Sequence, residues 1–422
     1  MDRHVVIIGG GFGGLYAAKT LALRPVHVTL IDRRNHHLFQ PLLYQVATAA
    51  LSPADIATPL RHVLSKRENV TVFLAEADRI DLPNRTVILT DGRLEYDALI
   101  VAAGASHSYF GHDEWETAAP GLKTLEDALE IRRRVLLAYE AAERTTDEAE
   151  RRALLTFVVI GGGPTGVEMA GALAEISRKT VASDFRRIDP TQARILLLEG
   201  GPRLLAGFPD DLARKAEAQL HRLGVEVRTK TLVTRVTPDA VWIGGEQIRS
   251  RAIVWAAGVA ASPLARTLGV PLDRAGRVIV EPDLSVPGHP EVFVIGDVAA
   301  FLHQDEGRPL PGLAPVAIQQ GRVAAHNVWR RLNGLPTEHF RYTDRGTIAT
   351  IGRASAVAVV RGVHLSGLIA WLAWIFIHIA YLIGFRNRFV VLFEWAWAYT
   401  TWQRGARLIT GRPGFPILAR RE

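Results

Sequence analysis

The stretch "HVVIIGGGFGGLYAA" (residues 4–18) places closely spaced glycines between a β-branched apolar run and an alanine-rich helical pattern. The same arrangement returns in "FVVIGGGPTGVEMAGAL" (residues 157–173). Both copies have G-x-G-x-x-G spacing, at Gly9, Gly11 and Gly14 and again at Gly161, Gly163 and Gly166. The first glycine allows a tight strand-to-helix turn, the second admits a pyrophosphate, and the third lets helix and strand pack closely. The repeat therefore predicts two dinucleotide-binding units.

Each glycine motif is followed by a strand that ends in an acidic residue, namely "VHVTLID" at Asp32 and "RILLLEG" at Glu199. A carboxylate in this position binds a ribose hydroxyl. Glu199 comes later than is usual, so the segment "RKTVASDFRRIDP" is predicted to loop out. Glu199 favours NADH, because a carboxylate repels the 2′-phosphate of NADPH. Arg203, four residues further on, could bind that phosphate, so NADPH stays an alternative. A solvated side chain, or one that faces a helix, would remove this alternative.

A third motif, "HPEVFVIGDVAAF", is a strand that ends at Gly296-Asp297. It is similar to the flavoprotein motif in which the aspartate contacts the ribityl chain of FAD. Because it follows the second repeat, the first domain must be split in the sequence. We predict an α/β fold with two Rossmann-like dinucleotide-binding domains, plus C-terminal membrane-associating helices. The predicted FAD domain is split into residues 1–118 and 270–345, with an NADH domain (119–269) inserted and a membrane-anchoring region (346–422) after it.

Two nucleotide sites in one chain predict an electron relay, in which one nucleotide is resident and the other exchanges. The strands "DALIVAAGA" and "AIVWAAGV" end at Gly104 and Gly258. They fit crossover connections between the domains, but their spacing alone also fits ordinary strand ends. The predicted FAD-binding residues are Gly9, Gly10, Gly11, Gly13, Gly14, Asp32, Arg33, Gly104, Gly296, Asp297, Ala317 and Ile318. The predicted NADH-binding residues are Gly161, Gly163, Gly166, Glu199 and Gly258.

The 422-residue chain contains no cysteine. This excludes disulfides, thiolate metal sites, iron–sulfur ligation and dithiol or persulfide chemistry, and we predict no metal site. The first apolar strand begins within four residues of the N-terminus, which leaves no room for a signal peptide. We therefore expect the catalytic body to lie in the cytoplasm.

The C-terminal part of the chain is both apolar and basic. From Gly362 to Phe385, 24 residues include no Asp, Glu, Lys or Arg, which is long enough for a membrane helix. Five of the nine tryptophans lie in the tail, at Trp371, Trp374, Trp395, Trp397 and Trp402. From Arg361 onward, eight arginines accompany only two glutamates. Interfacial tryptophans beside arginines indicate an anionic membrane surface rather than nucleic acid.

Alternatives remain at this point. The apolar tail could span a membrane, lie on one, or be a buried core or dimer helix. The acceptor could be a quinone dissolved in the bilayer. The alternative is a soluble-type FAD-dependent NAD(P)H reductase or oxidase that passes electrons to a protein acceptor or to oxygen.

Longer stretches carry a resemblance to a known family. They are "NHHLFQPLLYQVATAALSPADIATPLR", "LEDALEIRRRVLLAYEAAE", "GGGPTGVEMAGALAE", "GLAPVAIQQGR" and "GFRNRFVVLFEWAWAYTTWQRGARLI". Over nearly its whole length the chain resembles the type II NADH dehydrogenases, single-subunit NADH:quinone oxidoreductases that do not pump protons. The resemblance implies hydride transfer from NADH to FAD, then transfer of two electrons to a membrane quinone. It also implies a tail that binds the cytoplasmic face of the inner membrane, peripherally or monotopically, and it leaves a homodimer open.

The resemblance also implies roles for particular residues. Glu168 matches a glutamate near nicotinamide and flavin, and Gln319 and Gln320 are candidates for lining the quinone pocket. The family pattern Ala-Gln-x-Ala-x-Gln is kept from Ala314 to Gln319 except for proline at position 315. His37 and Tyr44 lie in a matching stretch, where either could be a core residue or pack on FAD. His378 could give a proton to reduced quinone, or be a packing residue.

Overall fold

The computed structural model describes residues 3–302, 307, 309–383, 385–401 and 406–410. Its helices are α1 (Phe12–Leu21), α2 (Leu43–Ala47), α3 (Pro53–Ile56), α4 (Leu60–Leu64), α5 (Leu125–Arg144), α6 (Glu148–Leu154), α7 (Pro164–Glu175), α8 (Asp210–Arg222), α9 (Ala314–Leu332), α10 (Leu368–Tyr381) and α11 (Phe385–Thr401). Its strands are β1 (His4–Ile8), β2 (His27–Asp32), β3 (His36–Leu38), β4 (Ala57–Pro59), β5 (Val70–Leu74), β6 (Ala77–Asp81), β7 (Thr86–Leu89), β8 (Gly92–Glu95), β9 (Ala98–Val101), β10 (Ala105–His107), β11 (Thr156–Ile160), β12 (Arg194–Leu198), β13 (Val225–Arg228), β14 (Val233–Thr237), β15 (Ala240–Ile243), β16 (Glu246–Arg249), β17 (Ala252–Trp255), β18 (Val259–Ala261), β19 (Val278–Ile279), β20 (Ser285–Val286), β21 (His289–Val294), β22 (Ala299–Ala300), β23 (Thr347–Gly352), β24 (Ser355–Val360) and β25 (Val363–Ser366).

The chain divides into two compact units. The first consists of Met1–Leu38, Ala57–Ser106 and Val259–Arg345, and the second of Phe39–Ile56, His107–Gly258 and Gly346–Glu422. The first unit is thus discontinuous in sequence. Four segments are grouped differently from the predicted domains. Residues 39–56, residues 107–118 and the C-terminal tail belong to the second unit, and residues 259–269 belong to the first. The predicted functional boundaries themselves stay an interpretation of the sequence.

The first unit is built on a six-stranded sheet in the order β20-β21-β9-β1-β2-β5. Strands β21, β9, β1, β2 and β5 are parallel, and β20 is antiparallel to β21. Helix α9 lies close to α1, since a Cβ added at Gly321 would come within 2.3 Å of the Gly13 carbonyl oxygen. This unit also contains the small antiparallel sheet β6-β7-β8 and the strand pairs β3-β4 and β19-β22.

The second unit repeats the plan with a four-stranded parallel sheet in the order β13-β12-β11-β17. It also carries a three-stranded antiparallel sheet, β14-β15-β16. Helix α5 begins with a capping box between Thr124 and Asp127, which satisfies backbone donors at the helix N-terminus. The α/β fold class predicted from the sequence is confirmed, with one parallel sheet behind each glycine motif.

The tail forms the antiparallel sheet β23-β24-β25 followed by α10 and α11. Ala370 and Trp371 pack against β24, and Trp374 is fully buried. Among the described residues, no helix is both long and apolar enough to cross a membrane. Trp402 and the tail arginines Arg404, Arg412, Arg420 and Arg421 lie outside the described residues. Association of the tail with a membrane remains a prediction.

Candidate functional site

The first glycine loop joins the end of β1 to the N-terminus of α1. Gly9 has φ +100, and a Cβ there would lie 2.3 Å from the Ala102 carbonyl oxygen. A Cβ at Gly14 would lie 1.8 Å from the Gly9 carbonyl oxygen, so these two glycines are required by the turn itself. Gly11 is different, because no atom lies within 4 Å of its added Cβ. The loop therefore leaves open space at Gly11, beside the amides that begin α1, where an anion is stabilised.

The carboxyl ends of neighbouring parallel strands meet at this loop. Ile8 of β1 is in register with Ile31 of β2 and Val101 of β9, and Val101 is in register with Val294 of β21. Asp32 and the Gly296-Asp297 pair therefore follow their strands at the same edge of the sheet as the glycine loop. In open α/β sheets, ligands bind at this edge.

Asp32 and Gln320 orient the backbone at this edge. The Asp32 carboxylate accepts hydrogen bonds from the Gly10 N–H (2.6 Å) and the Arg34 N–H (2.7 Å). The buried Gln320 side chain accepts from the Gly296 N–H at 2.7 Å. Gly296 has φ +72, and a Cβ there would lie 3.4 Å from that of Ala317. Gln320 therefore has a structural role, which is to fix the Gly296 turn. Its predicted role in lining the quinone pocket stays a prediction.

The second glycine loop has the same construction. Gly161 has φ +112, and a Cβ at Gly166 would lie 1.8 Å from the Gly161 carbonyl oxygen. No atom lies within 4 Å of a Cβ added at Gly163, which precedes the first turn of α7. Glu199 accepts hydrogen bonds from the Gly162 N–H (2.6 Å) and the Gly201 N–H (2.5 Å). This carboxylate thus matches Asp32 in position and in its backbone contacts.

Arg203 is held by its own loop. Its guanidinium donates to the carbonyl oxygens of Phe208 (2.8 Å) and Ala206 (2.9 Å). It also lies 3.3 Å from the Asp210 carboxylate. These contacts hold the guanidinium on its own loop, and so they favour the interpretation of Arg203 as a structural arginine.

Glu168 lies in the first turn and a half of α7, two residues after Gly166. Burial raises the pKa of its carboxyl to about 8, and a distant hydrogen bond from the Thr350 N–H, 3.4 Å from Oε1, opposes the rise. At neutral pH this side chain is therefore mostly protonated. A neutral carboxyl at a nucleotide loop can hold or release a proton near physiological pH.

The other predicted residues have diverse surroundings, and their functional roles stay predictions. Gln319 pairs with the Thr343 backbone through both amide atoms, each at 3.0 Å. Arg33 lies on the surface, 3.6 Å from Glu76. Gly104 has φ +68 with open space around it, whereas a Cβ at Gly258 would lie 2.7 Å from the Phe110 ring. Gly10, Gly13 and Ile318 are packed inside the first unit, where a Cβ at Gly10 would meet Leu60 at 2.5 Å and one at Gly13 would meet Ile295 at 3.0 Å.

Two buried contacts were not predicted from the sequence. His37 donates from Nδ1 to the Gly10 carbonyl oxygen at 3.0 Å. The Leu205 N–H donates to the Gly162 carbonyl oxygen at 2.8 Å. For the His37 contact, the only signal in the sequence was that His37 lies in one of the family-like stretches. The Leu205 contact could not be predicted from the residue type, because its donor is a backbone N–H that every residue except proline has.

The first loop passes a test for FAD. Its glycines keep side chains away from the place where a pyrophosphate would approach, the N-terminus of α1 favours an anion there, and Asp32 and Asp297 carry carboxylates that can accept from hydroxyl groups. The second loop supplies the corresponding groups for a nicotinamide dinucleotide. In the described residues, no cluster of His, Asp and Glu is arranged to hold a metal ion.

Comparisons with known proteins agree with this architecture. A family model described as pyridine nucleotide-disulphide oxidoreductase matches residues 3–321. The type II NADH:quinone oxidoreductase Ndh of Mycobacterium tuberculosis is 47% identical over 430 residues, which cover 98% of this chain and 92% of that protein. A Staphylococcus aureus protein of the same description is 32% identical, covering 86% of this chain and 91% of its own. The structure of NDH2 from Plasmodium falciparum in complex with NADH has a TM-score of 0.87 at 21% identity, covering 96% of this chain and 99% of that one.

The fold and the paired loops define an oxidoreductase with two dinucleotide-binding sites, a flavin and nicotinamide enzyme of the pyridine nucleotide-disulphide oxidoreductase class. Its chain has no cysteine, so it lacks the disulphide of that description. Within this class, the chain belongs to the type II NADH:quinone oxidoreductase family.

Proposed function

We propose that this chain is an NADH:quinone oxidoreductase that holds FAD at the first glycine loop and binds NADH at the second. FAD, when bound, takes up hydride from NADH and passes two electrons to quinone. The observation that carries the assignment is the pair of matching glycine loops, each with an acidic residue at the end of the next strand. The Gly296-Asp297 turn at the same sheet edge supports the proposal that the first loop binds FAD.

In this proposal, Glu168 accepts and donates a proton. Quinone reduction consumes protons, and a carboxyl with a pKa of about 8 can both hold and release one near neutral pH. The chain itself pumps no protons. A proteoliposome assay in which NADH oxidation by this protein alone acidified one compartment would contradict that part of the proposal.

The donor is NADH rather than NADPH. Glu199 places a carboxylate where the 2′-phosphate of NADPH would approach, and Arg203 is engaged with Ala206, Phe208 and Asp210. An uncompensated carboxylate repels that phosphate.

The tail provides contact with the membrane. Its two helices expose Leu368, Ile369, Leu372, Phe376, Phe389, Leu392, Phe393 and Trp397. Burial of such residues in the interface, together with the tail arginines, favours an anionic lipid surface, here the cytoplasmic face of the inner membrane. A second copy of the chain is the competing occupant of this surface. Sedimentation of the detergent-free protein with and without anionic vesicles distinguishes a lipid complex from a homodimer.

The test is an anaerobic cycle. Purified protein receives NADH, which should bleach the flavin absorbance, and then a short-chain quinone, which should restore it. Bleaching without recolouring would contradict the quinone assignment and favour a reductase that serves a protein acceptor. Rapid recolouring by oxygen alone would favour an oxidase, and a flavin that NADH does not bleach would contradict the relay.

A further inference from the structure

His37 is buried against the first glycine loop. The side chain is 1% exposed, and its Nδ1 lies 3.0 Å from the Gly10 carbonyl oxygen. A carbonyl oxygen only accepts hydrogen bonds, so Nδ1 carries the proton and donates. The Phe12 ring contacts the imidazole edge-on, with centroids 5.0 Å apart. Burial lowers the pKa of His37 to about 4, which keeps the ring neutral at physiological pH.

The bond from His37 fixes one half of the Gly10–Gly11 peptide group. The other side of Gly10 is fixed as well, because its N–H donates to Asp32 at 2.6 Å. All peptide bonds among the described residues are trans. In a trans peptide the C=O and the following N–H point in opposite directions. The Gly11 N–H therefore points away from His37.

A peptide between two glycines needs such a restraint. Glycine adopts both signs of φ at little cost, so a Gly–Gly peptide can rotate by half a turn. Rotation here would turn the Gly10 carbonyl oxygen into the direction now taken by the Gly11 N–H. An anion that the N–H attracts would then be repelled by a carbonyl dipole.

The second loop restrains the same peptide by a different donor. Gly162 occupies the position of Gly10, and its N–H donates to Glu199 at 2.6 Å. Its carbonyl oxygen accepts from the Leu205 N–H at 2.8 Å. A backbone amide thus does in the second unit what the His37 side chain does in the first. Two solutions to one geometric requirement indicate that the orientation of this peptide matters for nucleotide binding.

We infer that His37 is a positioning residue for the cofactor, which holds the Gly10–Gly11 peptide so that the Gly11 N–H faces the FAD pyrophosphate. The inference rests on the proposed assignment of FAD to the first loop. His37 acts through the peptide and need not touch the cofactor.

Two variants of similar polarity test the inference. The amide nitrogen of asparagine can occupy the place of Nδ1, whereas that of glutamine reaches the place of Nε2. His37→Asn should keep FAD affinity within about threefold of the natural protein, and His37→Gln should weaken it about tenfold or more, as expected for one lost hydrogen bond in a dry site. His27→Gln, an exposed histidine of β2, is the matched control and should leave FAD binding unchanged.

FAD affinity is measured by titrating the deflavinated full-length protein, with circular dichroism to establish that each variant folds. The ³¹P resonances of bound FAD report the pyrophosphate environment, and they should shift in His37→Gln but not in His37→Asn. Equal affinity and unchanged resonances in both variants, or equal losses in both, would overturn the role of His37. If the natural protein itself retains no FAD, the proposed function fails instead.

Discussion

Gln45 and Trp395 lie 350 positions apart in sequence, yet the Trp395 indole N–H donates to the Gln45 side-chain oxygen at 2.7 Å in a buried site. Gln45 in turn donates to the Tyr44 hydroxyl at 3.0 Å. The Trp395 ring packs at a tilt of 34° against Trp374, with ring centroids 4.9 Å apart, and the Trp374 ring lies 4.5 Å from that of His378, centroid to centroid. This buried group of polar and aromatic residues attaches α11 and α10 to α2, so the tail is part of the second unit.

Trp395→Phe removes the donor of this bond. The Gln45 oxygen would then be buried without it, which costs about 1–3 kcal/mol of unfolding free energy. We expect a lower midpoint of thermal unfolding and faster hydrogen exchange in α11. Trp397→Phe is the control, since Trp397 is half exposed on the same helix. Equal effects of the two substitutions would show that the bond contributes nothing particular.

A glycine-to-alanine substitution in each loop can show which dinucleotide that loop binds. Gly11 and Gly163 have ordinary φ values of −68 and −72, and a Cβ at either meets no protein atom within 4 Å. Alanine should therefore fold normally but occupy space needed by a pyrophosphate. Gly11→Ala should lose FAD during purification.

Gly163→Ala should keep FAD and raise the KM for NADH about tenfold or more, since the same clash now affects the exchangeable dinucleotide. Absorbance at the flavin maximum and steady-state kinetics are the measurements. The reverse pattern, with FAD lost from the Gly163 variant, would exchange the two assignments.

Glu168 predicts a pH dependence. Its pKa is raised from 4.5 to about 8, so the native protein binds this proton more tightly than the unfolded chain does. The stabilisation is complete below pH 4.5 and is lost as the pH rises through about 8, with a slope of at most about 1.4 kcal/mol per pH unit. The glutamine of Glu168→Gln does not titrate. As the pH rises, the unfolding midpoint of this variant should therefore increase relative to that of the natural protein.

The same substitution tests the proposed role in proton handling. The rate of flavin bleaching by NADH should have an inflection near pH 8 in the natural protein, and Glu168→Gln should lack it. An inflection that persists in the variant would assign it to another group.

If the exposed apolar face of the tail binds the membrane, polar substitutions on that face should remove membrane binding without unfolding the protein. Phe376 and Phe389 are 76% and 66% exposed. Changing both to serine should abolish cosedimentation with anionic vesicles and lower activity with a long-chain quinone, while ferricyanide reduction stays unchanged. Leu23→Ser with Leu74→Ser is the matched control, because these residues are 69% and 61% exposed outside the tail. Equal loss of vesicle binding in the control pair would refute a specific membrane face.

Local pattern was sufficient for the α/β fold and for both nucleotide loops. The strand–glycine–helix order is encoded in consecutive residues, because only glycine avoids the clashes at Gly9 and Gly14 that a Cβ would cause. The acids at Asp32 and Glu199 follow from the same rule, that ligand groups stand at the carboxyl ends of parallel strands.

The hydrogen-bond partners of single polar side chains were harder to predict from the sequence. Gln320 stays a predicted residue of the quinone pocket, and its side chain also accepts a hydrogen bond from the Gly296 N–H, a contact that the sequence did not predict. His378, considered as a proton donor, is buried with Nδ1 2.7 Å from the Trp374 carbonyl oxygen, and burial lowers its pKa to about 4. Which partner a polar group finds depends on the segments that pack around it.

The sequence by itself therefore determined the two dinucleotide loops, the absence of cysteine chemistry and the apolar character of the tail, since each is a property of neighbouring residues or of composition. Only the tertiary structure decided that α11 bonds to Gln45 and that His37 orients the Gly10 carbonyl. It also decided that burial raises the pKa of Glu168 to about 8. These features arise from burial and from contacts between distant segments, and hydrogen bonds and pKa values change with burial in ways that no local spacing records.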